Sequence, residues 1–318
     1  FVTLDVNTGD NDTTTTTYNP DGSVLTSVKT SESADGRSQL NSTASRIGFK
    51  GSEALTANTD LLYQLEYGIN VDADGNGRDG QDQFYSRDTY LGLKNAQYGT
   101  LLAGRLTAID DYVNFANVTQ GGVLGGDNVL ASFDAPRLDN SFAYFSPSYN
   151  NMQFMAMYGL DEDNFVDEQN IAGVAGKYAM GPMNAGLSYI QASGDVIGDF
   201  KKAIRVSGNY AVNPASTVGA LYQNTDLNTD DNENAFTLSG EMKTATPWTA
   251  YAQADVVSNV DGDKDGDALR GVVGGKYAIN AATTGHVYGA YLNEEYDDGT
   301  NKEDYDGFGI GGGIEYKF

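Results

Sequence analysis

Two stretches of this chain, "DADGNGRDGQD" from Asp72 and "DGDKDGD" from Asp261, set carboxylates and amides at alternate positions ahead of a glycine. That opening suits an oxygen-ligand calcium loop, with Asp72, Asp74 and Asn76 as ligands in the first and Asp261, Asp263 and Asp265 in the second. The closing position of such a loop calls for a bidentate glutamate, and here it is Gln83 and Val272. Solvated acidic loops are therefore the better reading, with loop-bound calcium kept as a candidate. The single histidine, His286, has the hydroxyls of Thr283 and Thr284 nearby, but nothing around it resembles a nucleophile elbow. Glu294 and Glu295 sit in an acid-rich stretch and read as solvated charge rather than an acid/base pair. The glycines of "GFGIGGG" fit pieces of a dinucleotide fingerprint, yet no helix can follow them before Phe318. With no cysteine there is no disulfide framework, thiolate metal site or cysteine nucleophile. The expectation is a protein that is not an enzyme and requires no cofactor.

The elements that carry these residues are strands. Leu61, Tyr63, Leu65, Tyr67 and Ile69 alternate with Gln64, Glu66 and Gly68, and Ile204, Val206, Tyr210 and Val212 alternate with Arg205, Ser207 and Asn209. Successive side chains of a strand face opposite ways, so each segment has one apolar and one polar face. Such segments recur from 1–10 and 43–52 through to 283–293 and 305–318, about sixteen in all, each near the length that crosses a bilayer at a tilt. No apolar run approaches the length of a transmembrane helix. Formal net charge is −25, which disfavours nucleic acid as a partner because phosphate binding needs clustered cations. The opening Phe1-Val-Thr-Leu-Asp-Val itself alternates, like a strand entered partway, and reads as a processed or trimmed chain.

Connections fall into two alternating classes. "KNAQYG", "PSYNN", "AMGP", "VNPAS", "TATP" and "NAATT" are short and nearly uncharged, whereas "DEDNFVDEQ", "DLNTDDNEN", "DGDKDGD" and "NEEYDDGTNKEDYD" are longer and acidic. In an up-and-down sheet alternate connections lie at opposite ends, so the pattern describes a membrane barrel with short periplasmic turns and long acidic external loops. Residues 107–137 are too long for an ordinary loop and are rich in Phe, Leu, Val and Gly, which places them inside the barrel. The first loop, 11–42, reads as a solvated excursion. Tyr90, Tyr98, Tyr144, Tyr178, Tyr277 and Tyr316 lie near strand ends, as interfacial aromatic girdles would. Parity sets Arg46, Gly48 and Lys50 opposite Ile47 and Phe49. The cations then face the lumen, since a charge on the lipid face at mid-membrane costs about 2–4 kcal/mol.

"SRIGFKGSEAL" (45–55), "YSRDTYLGLKNAQYGTLLAGR" (85–105), "GGDN" in the long loop, "RLDNSFAYFSPSYNNMQF" (137–154) and the terminal "YKF" together resemble the trimeric general porins of Gram-negative outer membranes. The resemblance implies a single barrel domain over 1–318, a third loop at 107–137 that folds inward to narrow the pore, and a homotrimer built on the wall near the first strands. It also implies a cationic wall of Arg46, Arg87 and Arg137, with Arg105 and Lys50 nearby, facing loop acids of which Asp127 matches best and Asp110, Asp111 and Asp134 are additions. Some relatives carry an acid just before "GGD", where this chain has "GGVL". The final Phe318 would be the signal read by the outer-membrane assembly machinery. The expected function is a water-filled channel for passive diffusion of small hydrophilic solutes and ions, set in the outer membrane among lipid and lipopolysaccharide. The alternatives are a substrate-selective channel and a non-conducting surface or adhesion barrel.

Overall fold

The computed structural model describes residues 1–71, 82–126, 128–160, 170–193, 200–297 and 299–318. Their strands form one antiparallel sheet. In chain order they are β1 (Val2–Tyr18), β2 (Val24–Ser42), β3 (Arg46–Thr56), β4 (Thr59–Ile69), β5 (Phe84–Asn95), β6 (Gly99–Thr107), β7 (Arg137–Phe145), β8 (Met152–Gly159) and β9 (Ile171–Met180). The second half continues with β10 (Met183–Ala192), β11 (Lys202–Asn213), β12 (Ser216–Asp226), β13 (Glu233–Lys243), β14 (Trp248–Ser258), β15 (Asp267–Ala278), β16 (Thr283–Asp297) and β17 (Asn301–Tyr316).

From β3 onward each strand pairs with the next, and β17 turns back onto β1, which also pairs with β2. β2 and β3 are successive segments of one stave, interrupted at 43–45, where Ala44 takes a φ of 52°. The break is bridged on both sides: the Thr43 amide donates to the Phe1 carbonyl, and the Ile69 amide donates to the Ser45 carbonyl. Strand pairing thus runs without interruption from β3 through β17 and β1 to β2, and the chain itself joins β2 to β3; among the described residues β2 pairs only with β1 and β3 only with β4.

Register explains the alternation. Ile47 opposes Tyr67, Phe49 opposes Leu65, and Ile310 lies between Val6 and Gly289. All of the apolar partners point outward, where Phe49 is 72% exposed and Val273 63%. Outward Tyr98, Tyr144, Tyr178, Tyr277 and Tyr316 lie toward the short-turn end, and Tyr158, Tyr189 and Tyr291 toward the other. Tyr90 is a correction to the girdle reading: its hydroxyl donates to Gln64 Oε1 on the inner wall.

Two stretches expected as loops are paired strand instead. Residues 11–18 and 24–42 form a hairpin closed at 19–23, and "NEEYDDGTNKEDYD" is the hairpin of β16 and β17. Alternation reveals a strand only where one face meets an apolar phase. Here both faces meet water, so a polar, threonine-rich ribbon of high β-propensity carries no such mark.

The loop between β6 and β7 lies inside. Its 3-10 turn Ile109–Val113 packs with Leu106, Leu138, Met157, Ile171 and Ile190. A second turn, Val123–Gly125, sets Val123 against the inner wall of β17. A Cβ at Gly309 would collide with Val123, and one at Gly311 would collide with Tyr288. Gly309 therefore leaves room for Val123 of the loop, and Gly311 for Tyr288 and Asp5 of the adjoining strands.

Candidate functional site

The inward loop divides the interior, leaving on one side a polar cavity of ≈ 800 Å³. Wall residues Arg46, Lys50, Arg87 and Arg137 line it together with Asp111, Gln120, Asn128 and Asp134 of the loop. Each wall cation is placed by strand parity. Arg46 and Lys50 share the inner face of β3, opposite Gly68 and Gln64. A register shift in β5 turns both Arg87 and Asp88 inward. Arg87 Nε then donates to Glu66 Oε1 at 2.6 Å, and Arg137 Nε to Asp88 Oδ1 at 2.7 Å, with Thr107 Oγ1 also donating to Asp88. Arg46 and Lys50 form no ion pair among the described residues.

The loop acids are treated differently from one another. Asp110 is buried behind the loop, 3.2 Å from Arg205 Nη1, and its Oδ2 accepts from the Ala135 amide. Asp134 lines the cavity and is 2.7 Å from Arg205 Nη2. Asp111 lines the cavity with no ion pair among the described residues. Burial raises the Asp111 carboxyl, and the negative charge of Asp134 adds to the effect. Burial likewise pushes Asp110 up to about 6, outweighing the attraction of Arg205. Asp127 lies outside the described residues, as do Asp72, Asp74 and Asn76.

Arg105 stands apart. It occupies the outward parity of β6, beyond Leu101 and Ala103, and its Nη1 is 2.7 Å from Asp139 Oδ1. Of the second acidic stretch, Asp261 Oδ1 accepts from Ser132 Oγ and Asp263 Oδ1 from the Asp265 amide. Among the described residues no three acids or histidines converge as a metal cage would require. His286 is buried on β16, its ring 4.7 Å from that of Phe1, and neither of its nitrogens has a hydrogen-bond partner. A nucleophile–base pair is therefore not formed there.

Anchors of the loop run along the far wall. Arg270 is paired with Asp255 at 2.9 Å and also donates to the Asn128 carbonyl. Gln253 Oε1 accepts from the Val118 amide, and Glu233 accepts from the Ser132 amide and hydroxyl. Inward parity of Arg205 and Arg270 is readable from their strands, as is that of Glu66. Their partners belong to distant segments, which local pattern cannot supply.

The arrangement is a polar gap with cations on the wall side and the carboxylates of Asp111 and Asp134 on the loop side. The sequence profile of the Gram-negative porin family matches residues 8–313. An outer membrane porin protein of Bordetella pertussis is 31% identical over 163 residues, 46% of this chain and 42% of that protein. The major outer membrane protein P.IB of Neisseria meningitidis serogroup B is 25% identical over 299 residues, 86% of this chain and 83% of that one. Among solved structures, the anion-selective porin from Comamonas acidovorans superposes with a TM-score of 0.67 at 20% identity, covering 98% of both chains.

Proposed function

The chain belongs to the Gram-negative porin family and is an outer-membrane channel for passive diffusion, and we propose that its selective step is the cavity between loop 107–137 and the wall of β3 to β7. Small hydrophilic solutes and ions cross this gap in water. The cations of Arg46, Lys50, Arg87 and Arg137 and the acid of Asp111 set a transverse field across it. Such a field orients dipolar solutes and opposes apolar ones, which find no hydrogen-bond partners there.

One observation carries the reading of charge preference. Within the cavity Arg87, Arg137 and Asp134 each have an opposite charge within bonding distance, whereas Arg46 and Lys50 face Asp111 without such partners. Glu315 and Lys317, which also line the cavity, are 3.1 Å apart and offset each other, so the unpaired side chains there are the cations of Arg46 and Lys50 against the one acid of Asp111, although the whole chain carries −25. Anions are favoured at this point, in the sense that the name of the Comamonas relative gives for that protein. A reversal potential across a planar bilayer in a KCl gradient tests this. An anion-preferring sign is expected, and a strongly cation-preferring sign would refute the assignment.

The channel assembles as an oligomer, which we take to be a homotrimer built on the wall near the first strands, β1 to β7. The Arg105–Asp139 pair supports that face, because an ion pair on the outward side of a barrel is better covered by protein than by acyl chains. Arg105→Leu would weaken the trimer band on mild gels if the face is buried between subunits. An unchanged band would move the interface elsewhere.

A further inference from the structure

We infer that Arg205 is the positioning residue of the channel's selective gap: one guanidinium on β11 holds both ends of the inward loop and so sets where Asp111 stands against the wall cations. The loop leaves the wall at Thr107 and rejoins it at Arg137. Arg205 reaches it near both points. Its Nη1 contacts Asp110, at the carboxylate and at the carbonyl, and its Nη2 contacts Asp134 Oδ1 and the Phe133 carbonyl. Nε is held by Gln223 Oε1 at 2.7 Å, so the planar fork has little rotational freedom. The residue is fully buried, and removing a guanidinium there strands two carboxylates.

Asp111 is the immediate neighbour of the clamped Asp110, so its height and direction are set by a residue that does not line the cavity. Asp134 does line the cavity, but its charge is taken up by Arg205. Arg205 therefore acts on selectivity through both acids while touching no solute. The inference rests on the selective gap proposed above, yet it concerns the difference between variants, whereas that proposal concerns the sign for the native channel.

The test uses the assembled full-length channel in planar bilayers. Arg205→Gln frees Asp134 and Asp110, so the reversal potential should move toward cations, with a cation-to-anion permeability ratio raised about twofold or more. Open-channel current noise should rise as the loop loosens. Arg205→Lys keeps the charge but cannot span both ends, and should raise noise while leaving the reversal potential near the native value. A folded Arg205→Gln channel with native reversal potential and noise would overturn the inference.

Should Arg205→Gln fail to assemble, Asp110→Asn reads the same clamp. Asp110 is faced by Arg205, by Asp134, and by the Ala135 amide, and its other oxygen has no hydrogen-bond partner. Native noise should climb as pH falls through about 6, where that carboxyl takes up a proton. Asp110→Asn should show the acid-level noise at every pH, with a flat profile. A native pH profile in Asp110→Asn would count against the clamp.

Discussion

At the scale of single residues, the same side-chain type does opposite jobs according to what stands across from it. Arg87 and Arg137 are neutralised in place by Glu66 and Asp88, while Arg46 and Lys50 keep their charge for the lumen. Lys50→Gln should therefore lower anion preference, whereas Arg137→Gln should disturb local structure more than selectivity, because it leaves Asp88 unpaired; paired reversal potentials and thermal melts would separate the two effects. Burial raises both Asp110 and Asp111 above the ordinary carboxylate. Because their folded-state values are raised, ionising them costs stability. For Asp110 that cost is absent below the ordinary value of 3.8 and complete above about 6. The reversal potential should accordingly shift further toward anions as acidification neutralises Asp111, and no shift on acidification would show that Asp111 does not face the path. Gly309 matters for the space it leaves open. Gly309→Val would drive Val123 off the wall, costing about 1–3 kcal/mol as overpacking does and narrowing the gap, read as a lower melting temperature and lower unitary conductance.

At the scale of elements, strand length separates membrane from water. Most strands run eight to twelve residues, but β1, β2, β16 and β17 run 15 to 19 and continue past the apolar band as a polar ribbon. Within that ribbon Asp10 lies opposite Asp306 and Asp12 opposite Asp304. Directly opposed like charges oppose pairing by about 0.2–1 kcal/mol each. Asp10→Asn should tighten the ribbon by that order, seen as slower amide hydrogen exchange near Asp306, and raised salt should slow exchange in the native protein in the same way. Unaltered exchange in Asp10→Asn would mean that Lys29, 2.7 Å from Asp12, already offsets the repulsion. These elements are only half legible in the sequence. The parity of β4 and of β11 can be read directly, since lipid and lumen impose opposite demands on alternate residues. The ribbon cannot, since water meets both its faces.

At the scale of the whole molecule, two fields of opposite sign act in series. An acidic recess of ≈ 990 Å³ between the loops and the upper strands is lined by Asp230, Asp261, Asp263, Asp267, Glu294 and Glu303, while the described residues of the gap below leave it cationic. Charges at a wide mouth are screened over about 30 Å at 0.01 M salt and about 3 Å at 1 M, whereas those flanking a narrow gap are screened less. Anion preference should therefore grow as KCl is raised at a fixed gradient ratio; a preference that shrinks with salt would place the selective charge at the mouth. Sequence by itself determined the barrel, its two kinds of connection, the inward loop and the inward cations of β3, because each follows from alternation or from loop composition, which are local. Only the tertiary structure decided which charges remain free. Asp110 and Asp111 are neighbours of one chemical type, yet the first is taken by Arg205 from β11 and the second faces the lumen. Neutralisation depends on a partner within a few ångströms, and that distance is set by how the inward loop packs against the far strands rather than by separation along the chain.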